Sequence, residues 1–162
     1  MVMKSDSSLL QGRQPFFLPD WSSQITVRTC VAWRVSHMGR HIEPRFAPRY
    51  CDGLALALNF RAEDKLQRGE WAEGMAFDQS FVLGGWLPPE QFDPGLLPTQ
   101  PSMEEAVARI SARMTLRTGD ILFVDTGESQ KVEREQKYTL YINMPAEDGS
   151  IHPVENLNCK IK

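Results

Sequence analysis

The sequence predicts a mostly β fold with short helices, of the α+β class. Three observations carry that expectation. Leu54 to Leu58 is a nearly unbroken apolar run, bounded by Gly53 and by a switch to polar residues at Asn59; this is the pattern of a strand buried on both faces. Residues 25–35 form a second strand pattern: Ile25, Val27, Thr29, Val31, Trp33 and Val35 fall on one face, and Thr26, Arg28, Cys30, Ala32 and Arg34 on the other. Two extended stretches, 130–144 and 151–161, flank the turn-forming Pro145-Ala-Glu-Asp-Gly-Ser150, which reads as a hairpin.

The remaining elements follow in chain order. Residues 1–24 give short extended pieces broken by Gly12, Pro15 and Pro19, with a short strand expected at Phe16-Phe17-Leu18. Ser36 to Arg40 makes a turn. Pro44 and Pro48 restrict residues 41–50 to a loop or one helical turn. After the buried strand 53–60, a short helix is expected from Arg61 to Arg68, ended by Gly69. A strand is expected near 80–83, then a proline-rich loop over 88–101. Ser102-Met-Glu-Glu105 has capping-box spacing and starts a helix to about Met114. That helix would bury Met103, Val107, Ile110 and Met114 as a stripe. Thr118-Gly119-Asp120 turns into a strand at Ile121 to Asp125. A single domain over 1–162 is expected, since this length can bury a core.

The net charge of −3 gives no general attraction to nucleic acid or anionic membrane, and no apolar run approaches a membrane span. The N-terminus lacks the pattern of a signal peptide. Cys30, Cys51 and Cys159 are odd in number and widely spaced, which favours free thiols in a reducing compartment. A cytoplasmic protein without nucleic-acid or membrane partners is expected.

The motif order is similar to that of the fumarylacetoacetate hydrolase family, nearest to its bacterial members. The matching pieces are Met3-Lys4-Ser-Asp-Ser-Ser-Leu-Leu10, Pro15-Phe-Phe-Leu-Pro-Asp-Trp-Ser22, Val27 to Val35, Gly39-Arg-His-Ile42, Phe46-Ala47, Tyr50, and Asn59-Phe-Arg-Ala-Glu-Asp64. Phe77-Asp78, Leu83-Gly84, the helix 102–114 and Met114-Thr-Leu-Arg-Thr-Gly-Asp-Ile-Leu-Phe123 complete the series. The resemblance implies a mixed β-roll like the family's C-terminal domain, and a homodimer. It implies a divalent metal, typically Mg2+, on three carboxylates, and hydrolysis, decarboxylation or isomerisation of 2-oxo and diketo acids. The family's hairpin between Leu83-Gly84 and the helix is largely missing here, and the family's N-terminal segment, which carries the hydrolases' histidine, is expected to be absent.

The family's site residues carry over poorly. Its Glu-x-Glu falls at Arg28-Thr29-Cys30, its third ligand Asp at Asn59, and its lysine before Phe-Asp at Met75. Its Thr-Ala-Arg-Asp reads Arg61-Ala62-Glu63-Asp64, and its Thr-Gly-Thr-Pro reads Val124-Asp125-Thr126-Gly127. Three carboxylates are gone and a guanidinium is added. At about 4 Å and an effective dielectric near 20, unit charges repel by roughly 4 kcal/mol, and a divalent ion doubles this.

No metal, no cofactor and no catalytic residue are therefore expected. The expectation is a non-catalytic relative with a structural, interaction or small-anion-binding role. Its candidate ligand-binding residues are Arg28, Cys30, Asn59, Arg61, Asp78 and Thr126, for a small carboxylate. Arg28 has a second reading, as partner of Asp64, Glu63 or Asp125. Cys30 is either a nucleophile depressed by Arg28 or an inert buried thiol. His37 and His41 have metal-ligand spacing but lie in a glycine-containing turn. The alternative function is a hydrolase or decarboxylase acting with Mg2+ on acylpyruvate-type substrates.

Overall fold

The computed structural model describes residues 4–88, 91, 99–146 and 148–162. The fold is mostly β, with short helices and a mixed sheet. Its strands are β1 (Leu9–Gln11), β2 (Ile25–Val35), β3 (Cys51–Ala62), β4 (Phe81–Leu83), β5 (Ile121–Asp125), β6 (Gln130–Lys131), β7 (Lys137–Pro145) and β8 (Ile151–Lys160). Helices α1 (Glu63–Gln67) and α2 (Trp71–Met75) follow β3, and α3 (Met103–Ser111) precedes β5. The main sheet runs β1-β4-β3-β2-β5, with β6 also on β2; β7 and β8 form a separate hairpin. Among the described residues, only the β1–β4 pair is parallel within the main sheet.

β3 is central because its sequence suits burial on both faces. Its even-numbered side chains are large: Leu54, Leu56, Leu58 and Phe60 are buried against Leu140, Ile142 and Leu157 of the hairpin. Phe16 and Phe60 stack with centroids 3.9 Å apart. The odd-numbered side chains are small, and Ala55 and Ala57 lie with Cys30 and Ala32 beneath Phe81, Leu83 and Phe123. One face thus carries the bulk of the core, at roughly 1.5–3 kcal/mol for each large side chain fully buried. The other is a shallow floor that turns polar at Asn59.

A bulge ties the hairpin to this sheet. Leu140 opposes Leu157 and Tyr141 opposes Glu155, so Asn156 has no partner on β7. Its side chain instead accepts from the Leu56 N–H at 2.8 Å and donates to the Gly85 carbonyl at 2.8 Å. It takes over where β4 ends and leaves the edge of β3 short of a partner.

Several sequence expectations need correction. Of Phe16-Phe17-Leu18, only Phe16 makes a bridge, to Ile161; Pro15 and Pro19 lack the N–H groups that a longer ladder needs. Arg61 and Ala62 stay in β3, so α1 starts at Glu63. Trp71–Met75 is helical, which the glycine and aromatic content hid. The long strand 130–144 is two strands: β6 joins β2, and Glu135 at φ 64° breaks the path before β7. The helix ends at Ser111 rather than near Met114. Its capping box forms as expected, with Ser102 and Glu105 bonded reciprocally. Pro44–Tyr50 is a 3-10 helix. Most of the proline-rich stretch 88–101 lies outside the described residues.

Candidate functional site

The strand register assembles the site. Arg28 lies opposite Asn59, Cys30 opposite both Ala57 and Asp125, and Thr26 opposite Arg61. With a two-residue side-chain period, Arg28, Cys30, Asn59, Arg61 and Asp125 share one face. Phe81 of β4 lies opposite Asn59 on that same face. Four of the six expected residues therefore converge at the polar end of the alanine floor.

Asp125 is the hub. One carboxylate oxygen accepts from Asn59 Nδ2 at 3.1 Å and from the Cys30 thiol at 3.0 Å. The other lies 3.9 Å from the Arg28 guanidinium. Of the three acids considered for Arg28, the structure selects Asp125. Asp64 instead accepts from Ser22 at 2.5 Å, and Glu63 accepts from Thr26 at 2.8 Å. Glu63 also lies 3.4 Å from Arg61 Nε, at an angle that makes no hydrogen bond. Arg28 Nε, Arg61 Nε and Asn59 Oδ1 are all buried without a hydrogen-bond partner. The Arg28 and Asp125 side chains keep 36% and 29% exposure, so the cluster opens to solvent on that side.

The Cys30 thiol is pushed up, first by burial and then by the Asp125 charge, which outweigh Arg28 and Lys4. A nucleophile depressed by Arg28 is not what forms. Instead the thiol is a neutral donor to Asp125.

Lys4 is the site residue that the sequence did not single out. Its ammonium donates to the Met75 carbonyl, to Ser80 Oγ at 2.8 Å and to the Ser80 carbonyl at 3.4 Å, and lies 5.9 Å from the Phe81 ring centroid. The Met75 backbone thus receives an amine from elsewhere in the chain. Burial lowers Lys4 to about 7, with Cys30 and Asp125 opposing the shift and Arg61 adding to it. The only available signal was the family-like Met3-Lys4 motif. Its meeting with Ser80 depends on the parallel β1–β4 pairing, which no local pattern shows.

Thr126 and Asp78 do not join the cluster. Thr126 sits beside Asp125, but its hydroxyl lies 3.3 Å from both Thr29 Oγ1 and the Thr29 carbonyl. Asp78 is exposed in a separate cleft of about 370 Å³ lined by Phe17, Pro19, Trp21, Phe77 and Gln79. His37 bonds its neighbour Ser36 at 2.9 Å, and His41 turns at φ 53°. Among the described residues, no three His, Cys, Asp or Glu side chains are grouped to hold a metal. Nor is any helix there long and apolar enough to cross a membrane.

No protein-family model and no curated protein matches the sequence. Solved structures do match the fold. A 5-carboxymethyl-2-hydroxymuconate delta-isomerase from Mycobacterium smegmatis superposes with a TM-score of 0.80 at 16% identity, over 98% of this chain and 67% of that one. A fumarylpyruvate hydrolase from Pseudomonas aeruginosa, in complex with Mn2+ and pyruvate, gives 0.77 at 20% identity, over 98% and 76%. A protein described as of the fumarylacetoacetate hydrolase family, from Yersinia pestis CO92, gives 0.78 at 20% identity, over 98% and 83%. The chain has the fumarylacetoacetate hydrolase fold. It spans 66% and 67% of two of the mycobacterial structures it matches. The β-roll expected from motif order is thus the fold observed.

Proposed function

We propose that this chain is a relative of the fumarylacetoacetate hydrolases that has lost metal-dependent catalysis and binds a small carboxylate at Arg28 and Arg61. The observation that carries the reading is the pair of buried Nε donors on these two arginines that make no hydrogen bond, on the face shared with Asn59. Arg28 and Arg61 face one carboxylate each, Asp125 and Glu63, and Lys4, lowered to about 7 by burial, adds a positive charge at and below that pH, where the cluster has room for one more negative charge. A guanidinium is well shaped to bind a carboxylate, often through two parallel hydrogen bonds.

The residues present do not fit a hard divalent cation. Such an ion takes several oxygen ligands, carboxylates above all. Here one carboxylate is already engaged by Cys30 and Asn59, and it lies 3.9 Å from a guanidinium. A homodimer in the cytoplasm belongs to the same reading, and analytical ultracentrifugation tests the dimer.

Calorimetry with oxalate tests the site. Wild-type protein should bind oxalate, and Arg28→Ala should weaken it about 10- to 100-fold, the equivalent of roughly 1.5–3 kcal/mol for a charged hydrogen bond. Equal affinity for the two proteins would refute the proposal. Mn2+ binding by wild type that vanishes in Asn59→Ala would restore the metal-dependent alternative.

A further inference from the structure

The separate cleft around Asp78 contains none of the arginine cluster, and half of its lining is aromatic: Phe17, Trp21 and Phe77 stand there with Pro19, Asp78 and Gln79. Local structure fixes these walls. Phe16 is buried against Phe60, and the Leu18 N–H donates to the Lys162 carbonyl at 2.9 Å, so the extended chain turns Phe17 outward. Phe17 is 59% exposed and Trp21 45%; apolar surface gathered in one concavity marks a binding surface. Trp21 and Phe77 meet at 82° with centroids 5.3 Å apart, a corner and not a stack. Gln79 takes a left-handed turn at φ 60°, uncommon for glutamine, and its N–H donates to the Ser7 carbonyl at 2.9 Å. This turn sets Asp78 at the cleft. Asp78 is the one charged residue of the lining, and among the described residues it makes no ion pair. The Lys65 ammonium lies 5.9 Å from the Trp21 ring centroid, but Glu70 at 3.2 Å is its counter-ion. The Trp21 ring thus already attracts one cation, while Asp78 has none.

We propose that this cleft binds a quaternary ammonium group, with the rings of Phe17, Trp21 and Phe77 against its methyl groups and Asp78 as its counter-ion. Aromatic faces attract cations through the ring quadrupole, and Trp does so best. The choice of a quaternary nitrogen follows from the polar inventory. A primary ammonium carries three N–H donors and needs an acceptor for each, whereas the lining offers only the Asp78 and Gln79 side chains as polar groups. A methylated nitrogen has no donor to satisfy, so rings can replace its water. The volume of about 370 Å³ suits a small ligand. Asp78 was expected with the carboxylate site, but its charge repels a carboxylate here. The two sites take ligands of opposite charge, and neither proposal depends on the other.

Proton NMR of choline titrated with the full-length protein supplies the test, because rings around the nitrogen move its methyl signal upfield. The control is dimethylbutanol, in which carbon replaces the nitrogen and the charge is lost. The expected result is a saturable upfield shift in the millimolar range, with the alcohol bound at least about fivefold more weakly. Trp21→Ala should weaken choline about 5- to 30-fold. Asp78→Asn should weaken it about 2- to 5-fold and leave the alcohol unchanged. Both side chains are exposed, so neither variant threatens the fold. Equal binding of choline and the alcohol overturns recognition of the charge. No saturable shift, or one unchanged in both variants, overturns the site. Sedimentation with phosphatidylcholine vesicles separates the two sources of the group. Cosedimentation that is lost in Trp21→Ala assigns it to a lipid headgroup, and choline binding without cosedimentation assigns it to a free ligand.

Discussion

Replacing Lys4 by Met removes the charge but keeps a long, flexible side chain in the same seat. The effect should appear as a change in how stability varies with pH. In the unfolded chain Lys4 titrates near its ordinary 10.5, whereas in the folded chain burial lowers it to about 7. Below pH 7 both states carry the proton, and the fold bears the full cost of a desolvated ammonium. Between pH 7 and 10.5 the folded chain has released the proton while the unfolded chain still holds it. Stability should therefore rise with pH in that window, by up to about 1.4 kcal/mol per unit, or on the order of 5 kcal/mol across it. The cysteines work in the opposite direction above their ordinary range. Burial pushes Cys51 to about 11 and raises Cys30 and Cys159 as well, so the folded chain keeps protons that the unfolded one loses. These contributions are largely common to both proteins and cancel in the difference. Urea melts of wild type and Lys4→Met from pH 6 to 10 should show wild type gaining on the variant as pH rises. A constant offset, set only by the unpaired Met75 and Ser80 acceptors, would mean that Lys4 is solvated.

Three further outcomes are expected. The triple variant Arg28→Glu, Cys30→Glu, Asn59→Asp should bind Mn2+ and gain thermal stability from it, because the register places these residues on one face; an unchanged melting temperature with added Mn2+ would count against that placement. Asn156→Ala should cost roughly 1–2 kcal/mol in urea unfolding, since it strands the Leu56 N–H while the exposed Gly85 carbonyl can turn to water, and a loss below about 0.5 kcal/mol would mean that the hairpin is held otherwise. Ser102→Ala should cost about 1 kcal/mol by removing the α3 cap, measured the same way, and no loss would show that α3 is held by packing alone.

The parts of this fold legible in the sequence were those whose pattern is local. β2 alternates, β3 runs apolar, and Ser102 with Glu105 announces α3, so each could be placed from neighbours a few residues away. What was hidden depends on distant partners. β1 is three residues long and exists because β4 lies beside it. Gln130 to Met144 looks like one strand, but its first part joins β2 and the rest joins β8.

The candidate site divides in the same way. Arg28, Cys30, Asn59 and Arg61 were found because two adjacent strands carry them, and motif order marked their positions. Asp78 was carried along by the same order, although the chain places it in another cleft. Lys4 and Ser80 are 76 residues apart and meet only through the parallel pairing. The charge balance therefore could not be summed from the sequence. The motif order predicts a site short of carboxylates and of a lysine. In space, Asp125 stands at the centre and Lys4 reaches the backbone of Met75 and Ser80. The cluster holds Arg28 and Arg61 against Asp125 and Glu63, a balance that only the pairing of distant strands brings about.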